Sequence, residues 1–300
     1  MWLDWTAFLL LIILYVAFSG TWFTSPLQSL CSSRGRALLI TALLAVPFVL
    51  ANLSTFSHDI YRFLTDFGRL FLYLLTPALL TLYRPKDAPT LNFADVVAIL
   101  ALWLPVEFGW LPKADAHTTS GVSFPIRQLT AVNLGFFLYL ILRPLPQMGY
   151  NFRIRRSDLR IVLLSFSAFL IVGIPLGLAS NFLALHIQPF DLPRWMLIWV
   201  LGFFFTALPE EMLFRGIIQQ QMETRFGNRN LALGIGAVIF GLAHINNATT
   251  GYPEPNWMYA IMATLAGLAY GYTWMKTGKI TASALVHASA NFVWATFLEA

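Results

Sequence analysis

Apolar runs of about twenty residues recur along the whole chain, and this restricts its fold more than any other feature. The stretch MWLDWTAFLLLIILYVAFSG is one example, and WMLIWVLGFFFTAL lies within another. Hydrophobic residues make up 58% of the 300 and charged ones 11%, whereas soluble domains carry about a quarter charged residues. The expectation is an all-α, polytopic transmembrane helix bundle. Ten apolar segments stand out, over residues 5–24, 37–53, 67–83, 92–111, 127–146, 160–184, 194–220, 230–247, 257–276 and 280–298, giving eight to ten spans. The third, around FLYLLTPALLTLY, is short and contains Pro77, so it reads as a half-span. The first lacks the positive start of a signal peptide and carries Asp4, so it reads as a retained span.

The positions of the basic residues test this division. Alternate loops, beginning after the first span, hold Arg34, Arg36, Arg84, Lys86, Arg143, Arg153, Arg155, Arg156, Arg160, Arg225, Arg229, Lys276 and Lys279, which is 13 of the 19 Lys and Arg. The other loops hold Arg62, Arg69, Lys113, Arg127 and Arg194. The bias places the first set in the cytoplasm and both termini outside. Nucleic acid is not an expected partner, because the net charge of +5 sits in short loops between spans. Cys31 is the single cysteine, so no internal disulfide can form. The most basic loop, NFRIRRSDLR at 151–160, reads as a topology-setting segment near anionic lipid. It divides residues 1–160, N-terminal helices of unknown role, from a core over 161–300.

Ionisable groups inside a bilayer are costly and mark function by default. The C-terminal half concentrates them: Glu210, Glu211 and Arg215 in LPEEMLFRGI, His244 in FGLAHINN, and His287 with Asn291 in LVHASANF. Glu211 and Arg215 are four apart and share a helix face. Glu210 is turned about 100° from Glu211. His287 and Asn291 are also four apart and project together, while Ser289 between them points away from both. At about 1.5 Å per residue, Glu210, His244, His287 and Asn291 reach overlapping depths of roughly 10 to 21 Å. Small residues on the eighth and ninth segments (Gly234, Gly236, Ala237, Gly241; Ala263, Gly267, Gly271) allow close helix packing around such a site. A carboxylate in a partly desolvated site binds its proton more tightly than in water and can act as a general base on water. A histidine beside it can orient that water. A second histidine and an asparagine amide can donate to the oxyanion of a tetrahedral intermediate. Glu211 and Arg215 would then support the site from beneath.

In order and spacing, EEMLFR (Glu210 to Arg215), FGLAH (Phe240 to His244) and HASAN (His287 to Asn291) resemble the EExxxR, FxxxH and HxxxN motifs of the CPBP family. These are the CAAX protease and bacteriocin-processing, or Abi, intramembrane proteases, which include the eukaryotic Ras-converting prenyl endopeptidase. The resemblance covers about residues 195 to 298. It implies an all-helical fold with a cavity open to membrane and cytoplasm. It implies catalytic roles for Glu210, which activates water, His244, which assists, and His287 with Asn291, which stabilise the oxyanion. Glu211, Arg215 and Phe240 take supporting roles. No cofactor is expected. HExxH is absent; zinc is the alternative, and Glu210, His244 and His287 would hold it.

The expected function is therefore an intramembrane endopeptidase acting on a peptide or membrane-protein substrate from the lipid bilayer, either CAAX-type or in other peptide processing. Its expected place is a prokaryotic inner membrane. The same Glu/His cluster could instead serve a transporter or proton-coupled carrier. A third class is a non-catalytic immunity or scaffold protein, although this chain keeps every motif residue.

Overall fold

The computed structural model describes residues 2–84, 89–112, 124–145 and 147–299. Lys86 and Lys113 of the charge pattern, and most of the polar loop after residue 112, lie outside them. The described chain is helical almost throughout, and it divides into two compact units, Met1–Leu145 and Pro146–Ala300.

The first unit holds α1 (Trp2–Ala17), α2 (Thr21–Leu30), α3 (Arg34–Ala51), α4 (Leu53–His58), α5 (Ile60–Leu82), α6 (Phe93–Glu107) and α7 (Ile126–Leu142). The first apolar segment is not one straight span. α1 and α2 meet at 97° across Phe18–Gly20, where Gly20 takes an extended backbone as the cap of α2. The third segment is not a half-span either: α5 runs unbroken for 23 residues through Pro77. A proline in a helix removes one backbone donor, and here the helix continues past it. The Tyr73 hydroxyl on the same helix donates to the Leu102 carbonyl of α6 at 2.9 Å. Asn133 on α7 likewise donates to the Leu11 carbonyl of α1 at 3.0 Å. At the start of α6, Asn92 and Asp95 cap the helix reciprocally. The buried Asp95 carboxylate also pairs with Arg84 at 3.1 Å and with Arg143, joining the ends of three helices.

The second unit holds α8 (Arg156–Ala179), α9 (Leu192–Phe226), α10 (Arg229–Leu242), α11 (Trp257–Thr277) and α12 (Ile280–Phe297). A two-residue ribbon, β1 (Ala184–Leu185) with β2 (Leu298–Glu299), pairs antiparallel beyond the end of α12. α8 shows lipid-facing chemistry: Leu163, Leu164 and Ile171 are 63%, 66% and 72% exposed on a helix with no charge after Arg160. The basic loop before α8 is tied to the α11–α12 turn. Lys279 Nζ meets Asp158 at 2.5 Å and the Arg153 carbonyl at 2.7 Å, and Thr281 donates to the Asn151 carbonyl.

Among the described residues, α3, α5, α8 and α9 are each long and apolar enough to cross a membrane, and the bent α1–α2 pair would make a fifth. α7 and α10 are shorter apolar helices. The chain is thus a polytopic helical membrane protein. α10 and α11 pack as the small residues predict. A Cβ on Gly241 would meet the Ala260 carbonyl at 2.4 Å, one on Gly267 would meet Ala237 at 3.2 Å, and one on Gly271 would meet Leu233 at 2.6 Å. Those three contacts run in opposite directions along the two helices, as an antiparallel pair requires. Gly234 is not part of this seam, since nothing lies within 4 Å of its Cβ position.

Asp95→Ala is expected to destabilise the protein by about 3 kcal/mol, because it leaves two largely buried guanidinium groups without their shared carboxylate. Thermal unfolding of the purified protein in detergent should show a midpoint several degrees lower.

Candidate active site

α9 is 35 residues long and is not α-helical throughout. Two π-helical stretches, Phe203–Ala207 and Met212–Gln219, flank the turn Leu208–Glu211. Pro209 lies in that turn and contributes no N–H to the helical ladder. Such widened turns are frequent at functional sites. This one carries the two adjacent glutamates.

Glu211 is fully buried. Its Oε2 accepts from Arg215 Nε at 3.0 Å and from the Ser283 hydroxyl at 2.5 Å, and its Oε1 meets His287 Nδ1 at 2.9 Å. A carboxylate can only accept, so Nδ1 of His287 carries the proton. The His287 ring is fixed from two further sides. Tyr270 stacks on it at 4.5 Å, nearly parallel, and Phe240 meets it edge-on at 5.7 Å.

Glu210 faces the other way, as its 100° offset predicts. Its Oε2 is buried and has no hydrogen-bond partner among the described residues. It lies 3.8 Å from His287 Nε2 and 4.0 Å from His244 Nε2. One imidazole therefore joins the two glutamates, with Nδ1 on Glu211 and Nε2 turned to Glu210.

His244 is not on a membrane helix, contrary to the sequence expectation. α10 ends at Leu242, and His244 sits in the turn that follows. Its position is fixed by local bonds instead. Nδ1 lies 2.8 Å from the Phe240 carbonyl, an acceptor, so Nδ1 carries a hydrogen and Nε2 is turned to Glu210. Tyr259 stacks on the ring at 5.4 Å and is itself stacked on Trp294. Buried Asn256 pins the turn from beyond: its N–H donates to the Ile245 carbonyl at 2.6 Å and its amide to the Asn247 carbonyl at 2.9 Å.

A cavity of about 60 Å³ opens beside these groups, lined among others by Phe240, His244, Tyr259, Tyr270, His287 and Asn291. That volume holds one or more waters. Phe240 is buried at the centre, against Phe214, His244, His287 and Tyr270, and the Arg215 guanidinium lies 5.0 Å over its ring. All seven residues singled out in the sequence thus converge on one region of the second unit. Ser289 turns away to bond Trp199 at 3.2 Å. Ser283, Tyr259 and Tyr270 escaped the sequence reading. Ser283 carried a signal, since it precedes His287 by four residues and so shares its face of α12; the two tyrosines join the site only through packing.

Glu210, His244 and His287 are the three groups that would hold zinc. Two ligands of one tetrahedral zinc lie roughly 3.4 Å apart, whereas the two Glu–His separations here are 3.8 and 4.0 Å. Among the described residues no group of three or more His, Cys, Asp or Glu is arranged to hold a metal.

The two glutamates should respond differently to substitution. Glu211→Gln leaves buried Arg215 without its counter-charge and is expected to cost about 3–5 kcal/mol. Glu210→Gln removes no protein hydrogen bond and should change stability by less than about 1 kcal/mol. Unfolding midpoints of the two variants, measured side by side, check this.

No curated protein and no solved structure matches the chain. Residues 192–293, one third of the chain, match the family model described as type II CAAX prenyl endopeptidase Rce1-like. The matched segment contains all three motifs and begins and ends within α9 and α12. Over residues 192–293 the chain is thus similar to the Rce1-like type II CAAX prenyl endopeptidases of the CPBP family.

Proposed function

We propose that the protein is an intramembrane endopeptidase that hydrolyses a peptide bond with water activated by Glu210. The observation that carries this reading is the Glu210 Oε2 atom, buried, without a hydrogen-bond partner among the described residues, and about 4 Å from two imidazole nitrogens. A water at hydrogen-bond distance, about 2.8 Å, from Glu210 Oε2 and His244 Nε2 spans that gap. Both groups accept, so the water directs its two hydrogens to them and turns a lone pair to the cavity. As that oxygen attacks the scissile carbonyl carbon, its proton passes to Glu210. His287 Nε2–H and the Asn291 amide donate to the oxyanion. In this reading His287 holds protons on both nitrogens from the start and keeps them through the step, with Glu211 beside Nδ1. When the C–N bond breaks, the proton on Glu210 goes to the leaving amine, and the products are a carboxyl and an amino terminus.

In this reading Glu211, Arg215 and Phe240 hold the catalytic groups in place, and no metal takes part. The substrate is a peptide or membrane protein whose cleavage site reaches the cavity from the bilayer, of CAAX type or otherwise. The basic loops, including 151–160, face the cytoplasm by the positive-inside rule, in a prokaryotic inner membrane.

Glu210→Ala and His244→Ala are each expected to lower cleavage of a membrane-anchored peptide at least about 100-fold, as loss of general acid–base catalysis requires, while insertion and unfolding midpoint stay near wild type. Metal chelators should leave the rate unchanged. Membrane proteomics of wild type against Glu210→Ala would reveal the substrates as uncleaved precursors. Full activity in either variant would overturn the glutamate mechanism, a rate lost to chelator and restored by zinc would overturn the metal-free one, and solute flux in proteoliposomes without cleavage would make the protein a carrier.

A further inference from the structure

Glu211, Arg215, Gln219 and Glu223 follow one another at intervals of four along α9, from the base of the candidate site to the helix end near Gly227. At about 1.5 Å per residue the series spans roughly 18 Å. Glu211, Arg215 and Gln219 are fully buried, and the Glu223 side chain is 17% exposed at the far end. Glu211 has its full set of partners. The three positions below it do not. Arg215 Nη1 and Nη2, Gln219 Oε1, Glu223 Oε2 and the neighbouring Gln220 Oε1 are buried and have no hydrogen bond among the described residues. Their other atoms are engaged: Arg215 Nε with Glu211, Gln219 Nε2 with the Gly271 carbonyl at 3.3 Å, and Glu223 Oε1 with Arg229 at 2.7 Å.

Leaving one buried polar atom unbonded costs about 1–3 kcal/mol, and native proteins satisfy such atoms with ordered water. Here the Arg215 donors are followed along the helix by the acceptor oxygens of Gln219 and Glu223, and water, which both donates and accepts, can join them. The facing helix is cut back at the same level, because a Cβ on Gly271 would stand 2.6 Å from Gln219 Oε1. At the upper end, the Arg215 guanidinium lies over one face of Phe240, and Phe240 also lines the cavity.

We infer that this face of α9 binds a column of ordered water between the surface near Glu223 and Arg215, with the Phe240 ring dividing it from the cavity. The column rests on the hydrolase reading for its purpose, which is to bring water to the far face of Phe240, past whose edge it renews the water that each cleavage consumes. It rests only on the unbonded atoms for its existence.

Two measurements test it. An experimental structure of the full chain in a lipid disc, at a resolution that shows water, should place ordered water on Arg215 Nη and Gln219 Oε1. Direct bonds from these atoms to protein groups, with no water between, would overturn the inference whatever the activity. Gln219→Leu and Gly271→Ala should each lower kcat for peptide cleavage about tenfold, the equivalent of one lost hydrogen bond, without a matching change in KM. Unfolding midpoints identify a variant that has lost its fold, and the other variant then carries the kinetic test. Wild-type kcat in a folded variant would reject the column as a supply route. If the wild-type protein cleaves nothing, the hydrolase reading fails and the water positions alone decide the column.

Discussion

The buried carboxylate of Glu211 is the constraint on which the site depends. It takes a guanidinium, a hydroxyl and an imidazole from two helices, and each of those groups would be costly to bury alone. Because His287 is one of the three, the ring's tautomer and direction follow from Glu211. Because Arg215 is another, Phe240 acquires a cation over its face and a fixed place beneath the cavity. The neighbouring Glu210 is freed from structural duty by this division. Its oxygen can stay unbonded within the protein, which a water-activating base needs.

Most of the architecture was legible in the sequence. Long apolar runs gave helices, since a backbone in lipid must bond to itself. The division of the two glutamates followed from a 100° step, and the paired direction of His287 and Asn291 from a spacing of four. The seam between α10 and α11 followed from small residues, except at Gly234, which meets no neighbour, and Gly236, which faces Gln219 and Met222 of α9; periodicity could not say which glycine faced the partner. What failed was local geometry. Pro77 suggested an interruption, but a single lost donor does not end a helix that packs well on both sides of it. The 97° bend after α1 left a Ser-Gly pair as its only trace in the sequence. His244 was placed on a helix because FGLAH continues an apolar pattern, whereas the chain turns at Leu242 ahead of the polar INN stretch.

The parts that remained hidden share a cause. Ser283, Tyr259 and Tyr270 belong to the site through contacts between helices, and no spacing within one segment encodes those. The Asn256 pin on the His244 turn is of the same kind, since the asparagine reads as an ordinary helix cap until its amide is seen to reach back to residue 247. Motif positions thus announce the groups in the site, and the residues that aim them are spread over the packing surfaces.

The π-helical stretch Met212–Gln219 has a consequence for register. In an α-helix a step of four residues overshoots a full turn by about 40°, so three such steps would carry Glu223 a third of the way round from Glu211. In a π-helix the bonds run from i to i+5 and the turn is wider than four residues, so the same step falls short. The two errors have opposite sign, and a segment that is π over 212–219 and α over 220–226 lets them offset one another. One residue's worth of slack keeps a four-spaced series on a single line. Deleting a residue inside the stretch would restore the tighter helix and swing Arg225 and the Glu223–Arg229 corner away from the side that Glu211 faces.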